Sequence, residues 1–202
     1  MPSRRRSDAG GGGSRGRATL SAILAAAGEL ASLEGLEQLS MGRLASAVGM
    51  SKSGLYAHFD SKEELQLATV EHVCQVFEAE VLRNRSDVSN DGLGGLLERW
   101  LDFFERKRFP GGCFLIVGAV EFAGRPGSVR DALASAIDRE IGALETAIQR
   151  ANETGELSPE KDAKQTAFEL HAILMNAHAL FQITRDPEVF QRARVAIQGV
   201  IR

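Results

Sequence analysis

The sequence predicts an all-α fold in which a small three-helix unit is followed by a larger helical bundle. Aromatic residues make up 6% of the 202 positions, and no segment alternates apolar and polar residues as a strand does. Apolar residues instead recur every three or four positions, which is the period of an amphipathic helix. A hydrophobic content of 44% and a charged content of 25% are typical of a globular chain.

Residues 1–17 are predicted to form a mobile basic tail, because arginines surround the glycine run Gly10–Gly13 and glycine loses the most backbone entropy on ordering. Such a tail is either a solvated leader or an arm that reaches a phosphate backbone and orders on contact. The net charge of the chain is −3. Residues 1–60 nevertheless hold more basic than acidic side chains, which leaves a local basic surface on an acidic protein.

The first domain is predicted to span residues 18–65 and to contain three helices. The first helix begins with the domain and ends at Gly35, because glycine readily adopts the left-handed conformation of a helix C-terminus. Ser40 is the N-cap candidate of the second helix, and Ser51 is that of the third, Lys52–Phe59.

The second domain, residues 66–202, is predicted to be a helical bundle. A capping box at Ser61–Glu64 begins a fourth helix that runs to about Arg83 and is followed by a polar linker, Asn84–Gly95. Cys113–Phe122 is apolar almost all round, which predicts a helix buried on every side. Further helices are predicted to begin near Leu96, Val129, Ser158 and Glu188, the last two at Ser-Pro-Glu and Asp-Pro-Glu start signals, which gives about nine in all.

The two short helices on either side of Gly49 have the spacing of a helix-turn-helix motif. Gly49 can adopt the positive φ that a sharp turn requires, and the small side chain of Ala45 lets the helices cross at close range. The small core of the motif would consist of Leu44, Val48, Leu55 and Phe59. The outward residues of the second helix can touch phosphates or base edges, and they are Lys52, Ser53, Tyr56 and His58.

Many positions between Arg17 and Leu65 agree with one known pattern: Ile23–Ala26, Leu44–Ala45, Ala47–Ser51, Leu55–Tyr56, His58–Phe59 and Ser61–Leu65. By these residues the chain resembles the TetR family of transcriptional repressors. Beyond residue 65 the resemblance extends only to an all-helical layout. It implies an N-terminal helix-turn-helix DNA-binding domain followed by a helical ligand-binding and dimerisation domain.

The resemblance also implies which residues contact DNA. Tyr56 and Lys62 would hold phosphates, and Lys52–His58 would be the recognition helix. A cation at a helix N-terminus opposes the helix dipole, so Lys62 requires an anion such as a phosphate. Gly54 stands where the family often has threonine or alanine. The full predicted set is Arg43, Ser51, Lys52, Ser53, Gly54, Tyr56, His58 and Lys62.

The function that the resemblance implies is that of a ligand-responsive transcriptional regulator. It would repress by binding a palindromic operator as a homodimer and would be released by a small-molecule inducer. Paired recognition helices would then lie one duplex turn apart, roughly 34–36 Å. An alternative stays open, in which the chain is a helical protein-binding adaptor with a vestigial DNA-binding head.

The effector is expected to be an apolar or aromatic small molecule bound inside the second domain. His171 and His178 are seven residues apart, whereas metal ligands on a helix are usually three or four apart, so neither a metal site nor a cofactor is predicted. Ordinary core packing is the alternative for each aromatic candidate. The candidate ligand-binding residues are Trp100, Phe103, Phe104, Cys113, Phe114, Val117, Glu121, Phe122, His171, Met175 and His178.

A seam of small and apolar residues in the last two helices predicts the dimer interface, because its alternating four- and three-residue steps suit close helix pairing. Burial within the chain's own bundle is the alternative. The predicted interface residues are Ala163, Ala167, Leu170, Leu174, Ala177, Phe181, Val189, Ala193, Ile197 and Val200.

The sequence contains none of the P-loop, GxSxG or HExxH motifs, and no Cys-His pair suggests a nucleophile, so the chain is not expected to be an enzyme. No apolar run approaches the roughly 20 residues of a membrane span, and no secretory signal is recognised. Two cysteines cannot build a disulfide framework. A cytoplasmic location is therefore expected.

Overall fold

The structure is a computed structural model that describes residues 11–83 and 92–202, with side chains from Gly16 onward. Every regular element in these ranges is helical, as the sequence predicts. The α-helices are α1 (Gly11–Glu34), α2 (Met41–Val48), α3 (Lys52–Tyr56), α4 (Lys62–Phe77), α5 (Gly92–Glu105), α6 (Phe114–Phe122), α7 (Ser128–Thr154), α8 (Ala163–Thr184) and α9 (Glu188–Ile201). A π-helical turn, Glu78–Leu82, continues α4.

Serine caps begin α2, α3 and α4 where the sequence places them. The hydroxyls of Ser40, Ser51 and Ser61 each accept a hydrogen bond from the backbone N–H three residues later, at 3.3, 3.0 and 3.0 Å. Gly49 ends α2 with a left-handed φ of 67°, which turns the chain from α2 into α3. The predicted helix-turn-helix geometry is therefore present.

The predicted boundary between tail and first domain is not a helix boundary, since α1 begins at Gly11 and not at Ala18. Once a helix has nucleated, each added residue gains a backbone hydrogen bond, so α1 extends upstream through its glycines. The remainder of the predicted tail, residues 1–10, lies outside the described residues. The predicted DNA-binding arm falls on these residues as well.

The predicted linker Asn84–Gly95 overlaps α5, which begins at Gly92. Residues 84–91 lie outside the described residues. The early start of α5 has a tertiary cause, because the Glu156 carboxylate accepts hydrogen bonds from the backbone N–H groups of Leu93 at 3.1 Å and Gly94 at 3.3 Å. An acid from a distant turn thus satisfies donors in the first turn of this helix.

The helix start predicted at Ser158 is wrong, because α8 begins at Ala163. Ser158 instead opens a turn, in which its carbonyl accepts from the N–H of Lys161 at 3.1 Å. Ser-Pro-Glu suits a turn with proline in its second position as well as a helix start. The N-cap of α8 is Asp162, whose carboxylate accepts from the N–H of Gln165 at 2.7 Å.

The helix α6 is not buried on every side, contrary to its apolar sequence. Phe114, Leu115 and Phe122 are buried, whereas Val120 is 76% exposed and Val117 is also exposed. Apolar composition alone does not reveal which face has a neighbour, and here α6 packs mainly against α7 and α1.

The predicted dimer seam faces the interior of its own chain. Ala167, Leu170, Leu174, Ala177, Phe181, Val189, Ala193 and Ile197 are all buried in the monomer, and Ala163 and Val200 are partly buried against the same core. The spacing of the seam residues does place them on one face of each helix. That face is covered by α5 and α7, and by the packing of α8 and α9 against each other. In the monomer these side chains therefore pack mainly inside the chain, although Ala177, Val189 and Ala193 also line a groove between α8 and α9.

The helix α4 joins the two parts of the molecule, since it packs against α1 in the first and against α7 in the second. The aromatic core lies beside its C-terminal end, where the Phe77 ring is 4.8 Å from Trp100 and 5.6 Å from Phe103, edge to face. In the described ranges no helix is long and apolar enough to cross a membrane.

Candidate functional site

The first candidate site is the outer face of α3 and its flanks. Lys52 and Ser53 are exposed, and Tyr56 is 48% exposed although it is a large aromatic residue. Leu55 is fully buried, so it fixes the orientation that turns its neighbours outward. His58 is half-buried, with its ring 6.3 Å from that of Phe59.

Gly54 faces the capping serine and not open solvent. A Cβ atom at this position would lie 3.2 Å from Ser51 Oγ and 3.4 Å from Met50 Cε, which is tight packing. Ser51 Oγ also lies 3.1 Å from Ser53 Oγ. Glycine at this position thus allows the N-terminal turn of α3 to close compactly.

Both predicted DNA-binding cations outside α3, Arg43 and Lys62, have carboxylate partners in this structure. Arg43 Nε lies 3.1 and 3.0 Å from the two carboxylate oxygens of Glu34, and this hydrogen bond holds the pKa of Glu34 below its ordinary value. Lys62 Nζ contacts the backbone carbonyl of Glu37 and lies 3.3 Å from its Oε1. In this structure Glu37 therefore supplies an anionic partner for Lys62 within the chain.

The Glu37 carboxylate is shared between the two parts of the molecule. Arg125, in the loop between α6 and α7, reaches the same Oε1 atom at 3.2 Å. Nearby, the Glu121 carboxylate at the end of α6 lies against Gly35, where an added Cβ would be 2.8 Å from Glu121 Oε1. The end of α6 thus contacts the segment between α1 and α2. Sequence reasoning missed Arg125, which has no local motif.

The predicted ligand-binding residues form a filled core and not a cavity. Trp100, Phe103, Phe104, Phe114, Phe122 and His178 are buried, Val117 is exposed, and Cys113, Glu121, His171 and Met175 are partly buried. The void beside Phe103, Phe104, Cys113 and His178 measures only about 10 Å³. His178 Nε2 accepts from the Cys113 N–H at 2.7 Å, so this histidine acts as an internal cap for α6.

A cavity of about 430 Å³ lies elsewhere, between α4, its π-helical extension, α6 and α7. That volume suits a small organic molecule. None of the predicted ligand residues lines it. The lining residues are Glu71, Cys74, Gln75, Phe77, Glu78, Leu82, Leu115, Ala136, Arg139 and Glu140.

Glu140 is the most unusual residue of the cavity wall, since it is a carboxylic acid only 6% exposed. Burial raises its pKa to about 8. His171 Nε2 lies 4.0 Å from Glu140 Oε2 and has no hydrogen-bond partner among the described residues. Burial lowers the pKa of His171. A signal was available in the sequence, because Glu140 stands four residues from both Ala136 and Leu144 on the buried stripe of α7.

Fold and site together define a class: a helix-turn-helix protein whose helical body contains a ligand-sized cavity. Residues 23–69 match the model of "Bacterial regulatory proteins, tetR family", and residues 90–197 match "Tetracyclin repressor-like, C-terminal domain". The chain belongs to the TetR family of transcriptional regulators. It is accordingly a DNA-binding regulator and not an enzyme.

Solved structures of similar fold agree with this assignment. A TetR transcriptional regulator from Chloroflexus aurantiacus J-10-FL has a TM-score of 0.82 at 24% identity, over 93% of this chain and 96% of that one. A TetR-family regulator from Cytophaga hutchinsonii has a TM-score of 0.77 at 21% identity, over 93% and 94%. AibR in complex with isovaleryl coenzyme A and operator DNA has a TM-score of 0.65 at 24% identity, over 90% and 97%. No curated protein matches the chain significantly.

Proposed function

We propose that this regulator is a homodimeric repressor that binds a palindromic operator and releases it when a small molecule occupies the cavity of about 430 Å³. One observation carries the proposal: α4 begins at the DNA-facing unit with Lys62, and its other end forms a wall of the cavity. An effector that favours one position of α4 would shift the DNA-competent population by its differential affinity. The AibR structure supports this arrangement, since that protein was solved with both an acyl coenzyme A and operator DNA.

The proposed DNA contacts combine base reading with phosphate contacts. Lys52, Ser53 and Tyr56 are exposed on α3 and would lie in the major groove, with His58 at the edge of this surface. Ser51 and Gly54 shape the helix start. Arg43 and Lys62 would exchange their carboxylate partners for phosphates, because exposed ion pairs contribute only about 0–1 kcal/mol.

The proposed dimer interface is the outward face of α8 and α9, next to the buried seam. This face carries large apolar side chains in solvent: Ile183 is 84% exposed, Val195 is 74% exposed, and Phe168 and Leu180 are also exposed. A second copy placed here would remove that surface from water. The seam residues predicted from the sequence would support this face from behind.

Light scattering of the intact protein tests the interface. We expect Ile183→Asp to convert a dimer into a monomer, because a buried unpaired carboxylate is costly at an apolar interface. Val120→Asp is the matched control, since Val120 on α6 is similarly exposed and apolar but lies outside the proposed face. A monomeric wild type, or a dimer that persists in the Ile183 variant, would contradict the proposal.

Titration of duplex DNA at rising salt tests the repressor hypothesis as a whole. A duplex selected from a randomised library should bind, and the affinity should fall steeply with salt because phosphate contacts release counterions. The adaptor alternative predicts no such binding. Since a regulator must reach the chromosome, we also propose that the protein acts in the cytoplasm.

A further inference from the structure

The cavity between α4, α6 and α7 contains a buried acid to which no described side chain or backbone group donates a hydrogen bond. Glu140 is 94% buried, taken as the complement of its 6% exposure, and no described donor forms a hydrogen bond to its carboxyl group. The other two lining glutamates differ. Glu71 accepts from Gln75 Nε2 at 3.1 Å, and Glu78 pairs with Arg83 at 2.6 Å.

A buried carboxyl group without a partner is destabilising when charged, so the free protein keeps it protonated. Such a group is stable as an anion only when a cation or several donors enter beside it. The walls on either side are apolar or aromatic, at Phe77, Leu115 and Ala136. The cavity therefore offers one buried acidic position beside an apolar wall.

We infer that the effector is a protonated amine carried on an apolar or aromatic body, with its ammonium group bound to the Glu140 carboxylate. The body would pack against Phe77 and Leu115, and the ammonium would form a charge-assisted hydrogen bond with the acid. The single basic side chain of the lining, Arg139, is exposed, and its charge lowers the pKa of Glu140 by less than burial raises it. This inference deepens the proposed function, on which it rests, by assigning the chemical class of its effector.

Direct binding to the intact protein without DNA tests the inference. The probes are 4-phenylbutylamine, 4-phenylbutan-1-ol and 4-phenylbutyrate, which share an aromatic body and differ in the charge of the head. Binding can be followed by calorimetry or by the fluorescence of Trp100, the only tryptophan, whose ring stacks edge to face on the cavity residue Phe77. We expect the amine to bind about tenfold more tightly than the alcohol, and the carboxylate to bind most weakly.

Glu140→Gln should abolish the preference for the amine, because glutamine keeps the shape of the side chain and removes its charge. Glu145→Gln is the matched control, since Glu145 lies on the same helix but not on the cavity wall. The control should keep the wild-type order of affinities. Binding of none of the probes, tightest binding of the carboxylate, or an unchanged amine preference in the Glu140 variant would overturn the inference.

The wild type provides a second readout that needs no variant. Amine binding at pH 7 should release close to one proton per site, since Glu140 has a pKa of about 8 in the free protein and must ionise in the complex. The other titratable or charged groups around it are Glu71, Cys74 and Glu78 on the α4 side, Cys113 before α6, Arg139 on α7 and His171 on α8. Burial raises the pKa of both thiols and lowers that of His171, which favours the neutral form of each of these three groups.

DNA release is measured separately, so the two proposals can fail independently. If the amine binds through Glu140 but DNA stays bound at saturating amine, the assignment of the cavity's ligand class stands and the inducer role fails. If a different compound releases DNA while the amine does not bind, the inducer role stands and the amine assignment fails.

Discussion

The charged side chains near the two ends of α4 differ in their burial and in their partners. At its N-terminus Lys62 is partly exposed and has a carboxylate partner in Glu37 at 3.3 Å. Beside its C-terminal end Glu140 is buried and has no hydrogen-bonded partner in the described ranges. An exposed pair is weak and exchanges readily for a phosphate, whereas a buried acid is stable as an anion at neutral pH only when a cation or donors bind beside it. The difference separates a surface suited to DNA from a cavity suited to a ligand.

Removing the buried acid should have the largest effect. The pKa of Glu140, about 8 in the folded chain against 4.5 ordinarily, means that the native state keeps a proton that the unfolded state has lost between these values. Wild-type stability should therefore fall as pH rises through this window. We expect Glu140→Gln to remove that slope and to stabilise the protein at pH 8 by on the order of 2–4 kcal/mol.

Urea unfolding at about pH 7, 7.5 and 8 measures this effect. The window is chosen above the range of His178, whose pKa burial lowers to about 4, so that its contribution to stability is lost only as pH falls below its ordinary 6.5. Glu145→Gln should leave the slope unchanged. A wild type with no slope in this window would mean that Glu140 is ionised in the native state.

Removing Lys62 at the N-terminus of α4 should weaken DNA binding and leave the stability of the fold unchanged. Lys62→Ala should weaken binding to specific and random duplexes alike by about tenfold, and the salt slope should become shallower by about 0.9 for each phosphate that is no longer neutralised. Its melting temperature should barely change, since the Glu37 pair is exposed. Lys164→Ala, an exposed lysine on α8, is the control for net charge. Equal affinity for DNA in both variants would remove Lys62 from the interface.

The smallest effect is expected when the Glu37 carboxylate, which Lys62 and Arg125 share, is replaced. Glu37→Gln frees Lys62 and Arg125 from their common partner, so affinity for DNA should rise by about two- to fivefold, the range that an exposed pair allows. Anisotropy titrations at one salt concentration suffice, with Glu29→Gln on α1 as the matched control. A decrease in affinity would indicate that Glu37 holds Lys62 in its DNA-binding position.

The sequence predicts those parts of the fold that depend on neighbours along the chain. The caps at Ser40, Ser51 and Ser61 and the left-handed Gly49 are local, and they appear where the sequence places them. The start of α5 depends on Glu156, 63 residues away from Leu93, and no local pattern could predict it.

Most residues predicted to bind a ligand or a second copy lie in the core of the second domain, and this has a physical reason. A stripe of apolar residues shows that a helix face is covered, but it does not show which element covers it. The stripe on α8 therefore predicts a dimer interface, whereas α7 of the same chain packs against it. A cavity is an absence of atoms among several helices, and its polar residues on α4 resemble an ordinary solvated face. Only Glu140, an acid on a buried stripe, could have indicated the site.

Gly111 allows the turn between α5 and α6 to pack directly against the C-terminal end of α1. Its N–H donates to Ser32 Oγ at 3.1 Å, and any Cβ added to it would overlap the main chain at the Ser32 carbonyl. Anyone who builds a chimeric regulator by grafting a foreign DNA-binding domain onto this helical bundle must therefore carry over the Ser32 end of α1 together with the turn. A junction that takes the end of α1 from one protein and the turn from another would bring together two surfaces that do not fit each other.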